Sequence, residues 1–213
     1  MKQSYDALLF DMDGVLVDVT KSYRKAIQQT ANYFLKREVK ISEVNEIKKK
    51  VGMNNDWDAT YALISDKTIP YGKVKGIFQK IYWGDKNAKG LIDKETLLIS
   101  KKQVLKLKSI YKKMGIATGR PRKEAQYVLN RFNLQKVFDV VVTKDDTKRE
   151  KPFPDPLLKA MKDMGENKVV YIGDSPSDVI AATAAKIPSI YIGDQDIGTI
   201  RFQTVSQIIK YLL

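Results

Sequence analysis

The sequence predicts an α/β fold: a doubly wound parallel sheet of Rossmann-like type with an inserted α-helical domain. Three observations predict it. Five short apolar runs, "YDALLF", "MGIAT", "FDVVV", "KVVYIG" and "PSIYIG", lack polar alternation and read as parallel strands covered on both faces. Helical patterns separate the later runs, the alternation expected of βαβ units. Between the first run and the second, from Val19 to about Tyr82, no strand-like run occurs.

In chain order, "YDALLF" is the buried central strand. In the interval after it, Tyr23, Ala26, Ile27, Thr30 and Phe34 share one helical face, and Val44, Ile47 and Val51 mark a second helix. "WDATYALI" and "VKGIFQKIYW" indicate two more. Residues 18–85 are therefore expected to form the inserted helical domain, with 1–17 and 86–213 as the α/β core and "GDKNAKG" as the linker. Ser100 and Gln103 are spaced as a capping box opening the helix before "MGIAT". "RKEAQYVLNRF", "DPLLKAMKDMG" and "PSDVIAATAAK" then follow the second, third and fourth strands, and "TVSQIIKYLL", with Thr204 as N-cap, closes the chain.

The 213 residues include no cysteine and no histidine. Serine–histidine triads, thiol nucleophiles and structural zinc sites are thereby excluded, leaving carboxylates, lysines, hydroxyls and hard metals for any catalysis. Lysine abundance without thiols also fits a heat-adapted host. The net charge is +13, from 38 basic and 25 acidic residues. Its lysines, as in "SKKQVLKLKSIYKKMG", fall at helical spacing and read as solvated faces rather than a nucleic-acid surface. No aromatic-interleaved basic motif accompanies them. No apolar run approaches the ~18 residues of a membrane span, and the N-terminus lacks a signal-peptide pattern. The expectation is a cytoplasmic protein with no membrane partner.

In open parallel sheets, ligands bind beyond the carboxyl ends of the strands. After the first run stand Asp11, Asp13 and Asp18; after the second, Thr118, Gly119 and Arg120; after the fourth, Gly173, Asp174, Ser175 and Asp178. Lys151 lies just past the third, in "EKPFPDP". Each residue type has a task if the substrate is a phosphate ester. Clustered carboxylates repel one another and call for a divalent cation, and an all-oxygen donor set favours Mg²⁺. An aspartate can attack phosphorus, and a carboxyl two residues on can protonate the leaving alkoxide and then deprotonate water. A lysine and a threonine hydroxyl can steady the phosphoryl oxygens. Gly119 and Gly173 are expected to permit close backbone approach at their turns.

Taken together, "DMDGVLVD", "IATGR", "KPFPDP" and "IGDSPSD" resemble, in order and context, the four motifs of the haloacid dehalogenase superfamily. The likeness spans essentially the whole chain. The helical insertion after the first motif resembles the C1 cap of the branch that contains phosphoglycolate phosphatases and β-phosphoglucomutases. The resemblance implies a Mg²⁺-dependent phosphatase acting on a small phosphorylated metabolite, phosphoglycolate being a first candidate. It implies Asp11 as nucleophile and Asp13 as acid/base, with the Asp13 backbone carbonyl on the metal. Thr118 and Lys151 would bind the transferring phosphoryl group, with Gly119 and Arg120 beside them. Asp174 would ligate Mg²⁺, and Asp178 would do so directly or from one layer further out.

Several readings stay open at this point. Asp18 is either a hinge residue of the insertion or the start of the next helix. Arg120 and Arg122 either contact the ligand or lie solvated at a helix start. "GMNNDW" resembles the cap loop that selects the leaving group, with Asn54 and Asn55 as candidate contacts, or is an ordinary loop with Trp57 packed inside. A β-phosphoglucomutase-type mutase is the nearest rival, since Val15 occurs there too, but those enzymes resemble one another in a hinge histidine that this chain lacks. Dehalogenation has no use for Asp13. A non-catalytic, basic nucleic-acid-binding protein on the same fold is a third reading, against which the filled catalytic positions argue.

Overall fold

The structure, a computed structural model, describes residues 5–48, 50, 53, 55–85 and 88–213. Strand β1 (Ala7–Phe10) leads through a turn to β2 (Val17–Asp18). Helices α1 (Tyr23–Leu35), α2 (Ile41–Lys48), α3 (Asp56–Ile64) and α4 (Tyr71–Trp83) follow. After β3 (Thr96–Leu97), which pairs with β2, strands and helices alternate: α5 (Lys101–Ile110), β4 (Lys113–Ala117), α6 (Arg122–Arg131), β5 (Val140–Val142), α7 (Asp155–Met164), β6 (Val169–Gly173), α8 (Pro176–Ala184) and β7 (Ser189–Ile192). The chain closes with β8 (Ile200–Phe202) and α9 (Val205–Leu212).

Two compact units result: Met1–Asp18 with Leu97–Leu213, and Val19–Thr96. In the first, the strands form a six-stranded sheet in the order β5-β4-β1-β6-β7-β8, parallel throughout. From β1 the chain builds outward first through β4 and β5, then on the other side through β6, β7 and β8. The reversal falls at β1, which opens a crevice beyond its carboxyl end. Every residue of β1 is buried, which accounts for its unbroken apolar run. Ala7 and Leu9 face the layer built by Leu157, Ala160 and Met164 of α7 and by Ala181 and Ala182 of α8. Leu8 and Phe10 take the opposite face by alternation, where Phe10 meets Phe138 edge-on at 6.1 Å.

The expected capping box at Ser100–Gln103 is formed, and Thr204 is the N-cap expected, there within a capping box with Gln207. A sixth strand, β8, goes beyond the five expected. Its three residues are at least partly exposed at the sheet edge, so they carry no apolar run to betray them.

The helical unit packs α1 against α3 and α4. Its centre holds Ala26, Ile27, Val44, Ala59, Val74 and Phe78, with Tyr23 stacked on Tyr82 at 4.6 Å. This unit ends at residue 96, not at the expected 85. The reason is visible in the segment between. Leu91 and Ile92 are buried in a 3₁₀ turn that packs on α1 and α4, and the Tyr82 hydroxyl donates to the buried Glu95 carboxylate at 3.0 Å. "GDKNAKG" is thus followed by a further buried stretch before the chain leaves the unit. At the other crossing, Asp18 ends β2, and α1 begins only at Tyr23 with Ser22 as N-cap. Asp18 therefore does not start that helix. No helix among the described residues is long and apolar enough to cross a membrane.

Candidate active site

Register brings the motif residues of the first unit to one rim. Phe10 is level with Ile116 on one neighbour and Ile172 on the other. Asp11, Ala117 and Gly173 therefore stand at one height, with Thr118 and Asp174 one residue beyond. The Asp11 amide donates to Ile172 O at 2.8 Å and the Thr118 amide to Val142 O at 2.9 Å, so hydrogen bonding extends into the turns.

Lys151 reaches the centre of this rim. Its Nζ lies 3.1 Å from Asp11 Oδ1 and donates to Asp178 Oδ1 at 2.6 Å and to the Tyr171 hydroxyl oxygen at 2.9 Å. The Met12 amide also donates to Asp11 Oδ1, at 2.7 Å. Asp178 spends its other oxygen on its own helix, where Oδ2 accepts from the Ser175 amide at 3.0 Å and hydroxyl at 2.7 Å. Ser175 in turn caps α8, with Pro176 in the first turn. Asp11 and Asp178 are buried, whereas Asp174 is exposed and so accessible to a ligand, although protein surrounds its other sides.

The electrostatics follow from this crowding. Burial pushes Asp11 up to about 7, with Lys151 opposing and Asp178 and Asp13 reinforcing the rise. Enclosure, then Asp11 and Asp178, raises Asp174 well above the usual carboxylate range. Burial would lower Lys151, yet Asp11 and Asp178 outweigh it and hold the ammonium charged. Burial would likewise raise Asp178, but Lys151 and the Ser175 hydrogen bonds bring it below the ordinary value. A raised Asp11 beside a raised Lys151 is no contradiction. One ammonium shared among several carboxylates leaves an excess of negative charge, which a proton or a cation relieves.

The donor set fits a hard divalent cation. Asp11, Asp174 and Asp178 each offer a carboxylate oxygen, all within 4.8 Å of one another. Backbone shape serves the same cluster. Gly14 has φ +71°, and a Cβ there would fall 1.8 Å from Asp174 Oδ2. A Cβ on Gly173 would sit 2.4 Å from the Asp178 Cβ, so the close approach expected at that turn is present. At Gly119 it is absent: nothing lies within 4 Å of an added Cβ, because the turn faces open space.

The remaining candidates separate. Thr118 is buried, and its hydroxyl oxygen accepts from the Arg120 amide at 3.2 Å. Arg120 is not solvated: its side chain is 1% exposed, and Nε donates to Asp13 Oδ1 at 2.5 Å. Arg122 pairs instead with Asp146. Asn54 and Gly52 lie outside the described residues. Asn55 is the N-cap of α3, its side-chain oxygen accepting from the Trp57 amide at 3.0 Å. Its carbonyl is thus engaged by the helix, and Lys75 sits over the Trp57 ring at 3.7 Å. Sequence reasoning missed Tyr171, whose hydroxyl lies within reach of Lys151, Asp178 and Ala117 O. Tyr171 lies inside an apolar run, and only the strand register shows that its ring ends among the charges.

Fold and site together define an α/β enzyme whose centre is a carboxylate cluster with a largely enclosed lysine at the carboxyl rim of the sheet. Residues 8–192 match the haloacid dehalogenase-like hydrolases, and the chain belongs to that family. Among similar proteins, a phosphorylated carbohydrates phosphatase of Thermotoga maritima is 31% identical over 193 residues, covering 87% of this chain and 84% of its own. An imidazoleglycerol-phosphate dehydratase of Phytophthora nicotianae is 34% identical over 194 residues, 87% of this chain, which spans only 42% of that protein's length. In structure, CbbY of Rhodobacter sphaeroides in complex with phosphate superposes with a TM-score of 0.76 at 17% identity, covering 96% of both chains.

Proposed function

We propose that the chain is a Mg²⁺-dependent phosphatase that hydrolyses a small phosphorylated metabolite through an aspartyl-phosphate. The observation that carries this reading is the placement of the Lys151 ammonium 3.1 Å from Asp11 within a cluster of carboxylates at the sheet rim. A nucleophile beside a fixed cation suits attack on an anionic phosphoryl group, whose charge would otherwise repel a carboxylate. The Thermotoga relative, named as a phosphatase of phosphorylated carbohydrates, supports the same substrate class.

In this mechanism Asp11 attacks phosphorus and the bond to the leaving oxygen breaks. The Asp13 carboxyl gives that oxygen its proton. Asp13 then takes a proton from water as the water attacks the aspartyl-phosphate, and inorganic phosphate leaves with Asp11 restored. Lys151 and the Thr118 hydroxyl orient the phosphoryl oxygens throughout. Asp11, Asp174 and the Asp13 backbone carbonyl would hold Mg²⁺, while Asp178, with both oxygens already engaged, fixes Lys151 from one layer out. The bound ion would neutralise the cluster and draw charge from the phosphoryl oxygens.

Hydrolysis of p-nitrophenyl phosphate with Mg²⁺ is the test, with loss of activity expected on adding EDTA and in Asp11→Asn. Equal turnover by Asp11→Asn would sink the nucleophile assignment. A screen of phosphorylated metabolites, phosphoglycolate and hexose phosphates included, then identifies the substrate.

A further inference from the structure

We propose that Arg120 is a positioning residue for Asp13, fixing the carboxyl that exchanges protons with the leaving group and with water. The proposal rests on the phosphatase reading above and adds to it a residue that acts through another. Arg120 is among the largest fully buried side chains of the protein. Enclosing a guanidinium is unfavourable unless it is paired, so the groups that it pairs with point to its task. One of its partners is Asp13 Oδ1, 2.5 Å from Nε and 107 residues away in sequence. Asp13 is itself one-third exposed and sits in the turn after β1, where a short side chain has several rotamers open to it.

The backbone of Arg120 is pinned as well. Its amide donates to Thr118 Oγ1 at 3.2 Å, and its carbonyl accepts from the Lys144 amide at 3.2 Å. One residue therefore ties the Asp13 carboxyl, from the end of β1, to the Thr118 hydroxyl at the end of β4. A planar guanidinium is suited to this because its donors are fixed in direction, unlike the rotating donors of an ammonium. With Oδ1 committed to Nε, Oδ2 is the oxygen left to give its proton to the departing alkoxide and to receive one from the attacking water.

The two half-reactions supply a test that a purely structural role does not pass. A nitrophenolate departs without protonation, whereas an alkoxide needs the proton of Asp13. The test compares p-nitrophenyl phosphate with an alkyl phosphate in wild type, Arg120→Met and Arg120→Lys, with folding checked by circular dichroism. Values of kcat/KM report the steps through phosphorylation of Asp11. In either variant kcat/KM should fall ~100-fold for the alkyl ester and no more than ~5-fold for the nitrophenyl ester, the general-acid share of such a step. In an Asp13→Asn background, Arg120→Met should add less than a ~3-fold further loss on the alkyl ester, since coupled residues are not additive. Equal losses on both esters would show that Arg120 binds the shared phosphoryl group or only supports the fold, and would overturn the proposal while leaving the phosphatase reading intact. A wild type inactive on both esters overturns both. Arg120→Lys carries the comparison if Arg120→Met does not fold.

Discussion

Lys151 stands closer to Asp178 than to Asp11: its Nζ is 2.6 Å from Asp178 Oδ1 and 3.1 Å from Asp11 Oδ1. The geometry assigns the two carboxylates different work. Asp178 is fully enclosed and has both oxygens engaged, so it serves as the anchor of the lysine. Asp11 holds the ammonium at longer range and keeps its place at the rim. The ammonium is thus carried by one carboxylate and presented beside another.

Tyr171 is the third member of that anchor. Its hydroxyl oxygen takes a hydrogen bond from Lys151 at 2.9 Å, and its proton can serve Asp178 or Ala117 O. Tyr171→Phe keeps the ring and its packing and deletes only this link. Stability should fall by about 1 kcal/mol, the worth of one buried hydrogen bond, measured by urea denaturation. Activity should fall ~10-fold, mainly in kcat, as the lysine gains freedom. Lys151→Met should be far more severe, about 10³-fold in kcat/KM, because the fixed positive charge itself is gone. A Tyr171→Phe enzyme with unchanged kcat would show that Asp178 alone positions the ammonium.

Gly14 links the first motif to the fourth. Its φ of +71° is unfavourable for residues with a Cβ, and that atom would fall 1.8 Å from Asp174 Oδ2. The carboxylate is the mobile end of a short side chain, so Gly14→Ala is expected to fold with Asp174 displaced. About 1 kcal/mol of stability should be lost to the backbone. The concentration of Mg²⁺ needed for half-maximal activity should rise by ~10-fold or more, as expected when a metal ligand is misplaced. Metal titrations of both proteins decide it, and an unchanged requirement would exclude Asp174 as a ligand sensitive to Gly14.

Asn55 tests the difference between a capping residue and a ligand contact. Its side-chain oxygen accepts from the Trp57 amide and satisfies one of the open donors at the start of α3. Asn55→Ala should cost about 1 kcal/mol of stability, and Asn55→Asp or Asn55→Ser should recover most of it. KM for the best substrate should stay within ~3-fold of wild type, since removing a substrate hydrogen bond would typically cost more. A tenfold rise in KM in Asn55→Ala that Asn55→Ser does not repair would restore Asn55 as a substrate contact.

The sheet and the placement of the main candidate residues at its rim were legible because they depend on local pattern. An unbroken apolar run followed by Asp11 and Asp13 marks a buried strand delivering charge to a rim, and the same logic places Thr118 and Asp174. Residues whose role depends on register were not legible. Tyr171 sits within an apolar strand, and only its alignment beside β1 brings its hydroxyl to Lys151. Arg120 follows a strand end as a ligand residue would, and the sequence cannot show that it turns inward to a residue 107 positions away. Asn55 did carry a local signal, an Asn followed by Asp56 and Asp58 in the first turn of α3, which is a helix start before it is a ligand motif. The boundary at residue 96 depends on a buried glutamate and a tyrosine meeting across 13 residues.

The carboxylate cluster makes stability without metal depend on pH. Burial raises Asp11 from its ordinary 3.8 to about 7, and Asp174 moves the same way. A group that holds its proton more tightly when folded favours the native state while protonated. That contribution is fully present below about pH 4 and is lost as pH rises through about 7. With EDTA present, wild type should therefore lose stability across this window relative to Asp11→Asn, which has no charge to bury at that position. The comparison with the variant cancels the repulsion that a net charge of +13 produces on the acid side. Adding Mg²⁺ should restore wild type at about pH 8 far more than the variant, because an ion that binds only the native state stabilises it by mass action. Thermal melts of both proteins, with and without Mg²⁺, measure this. A difference between them that stays flat from about pH 4 to 8 would show that the folded protein does not hold the Asp11 proton, and that the lysine alone balances the cluster.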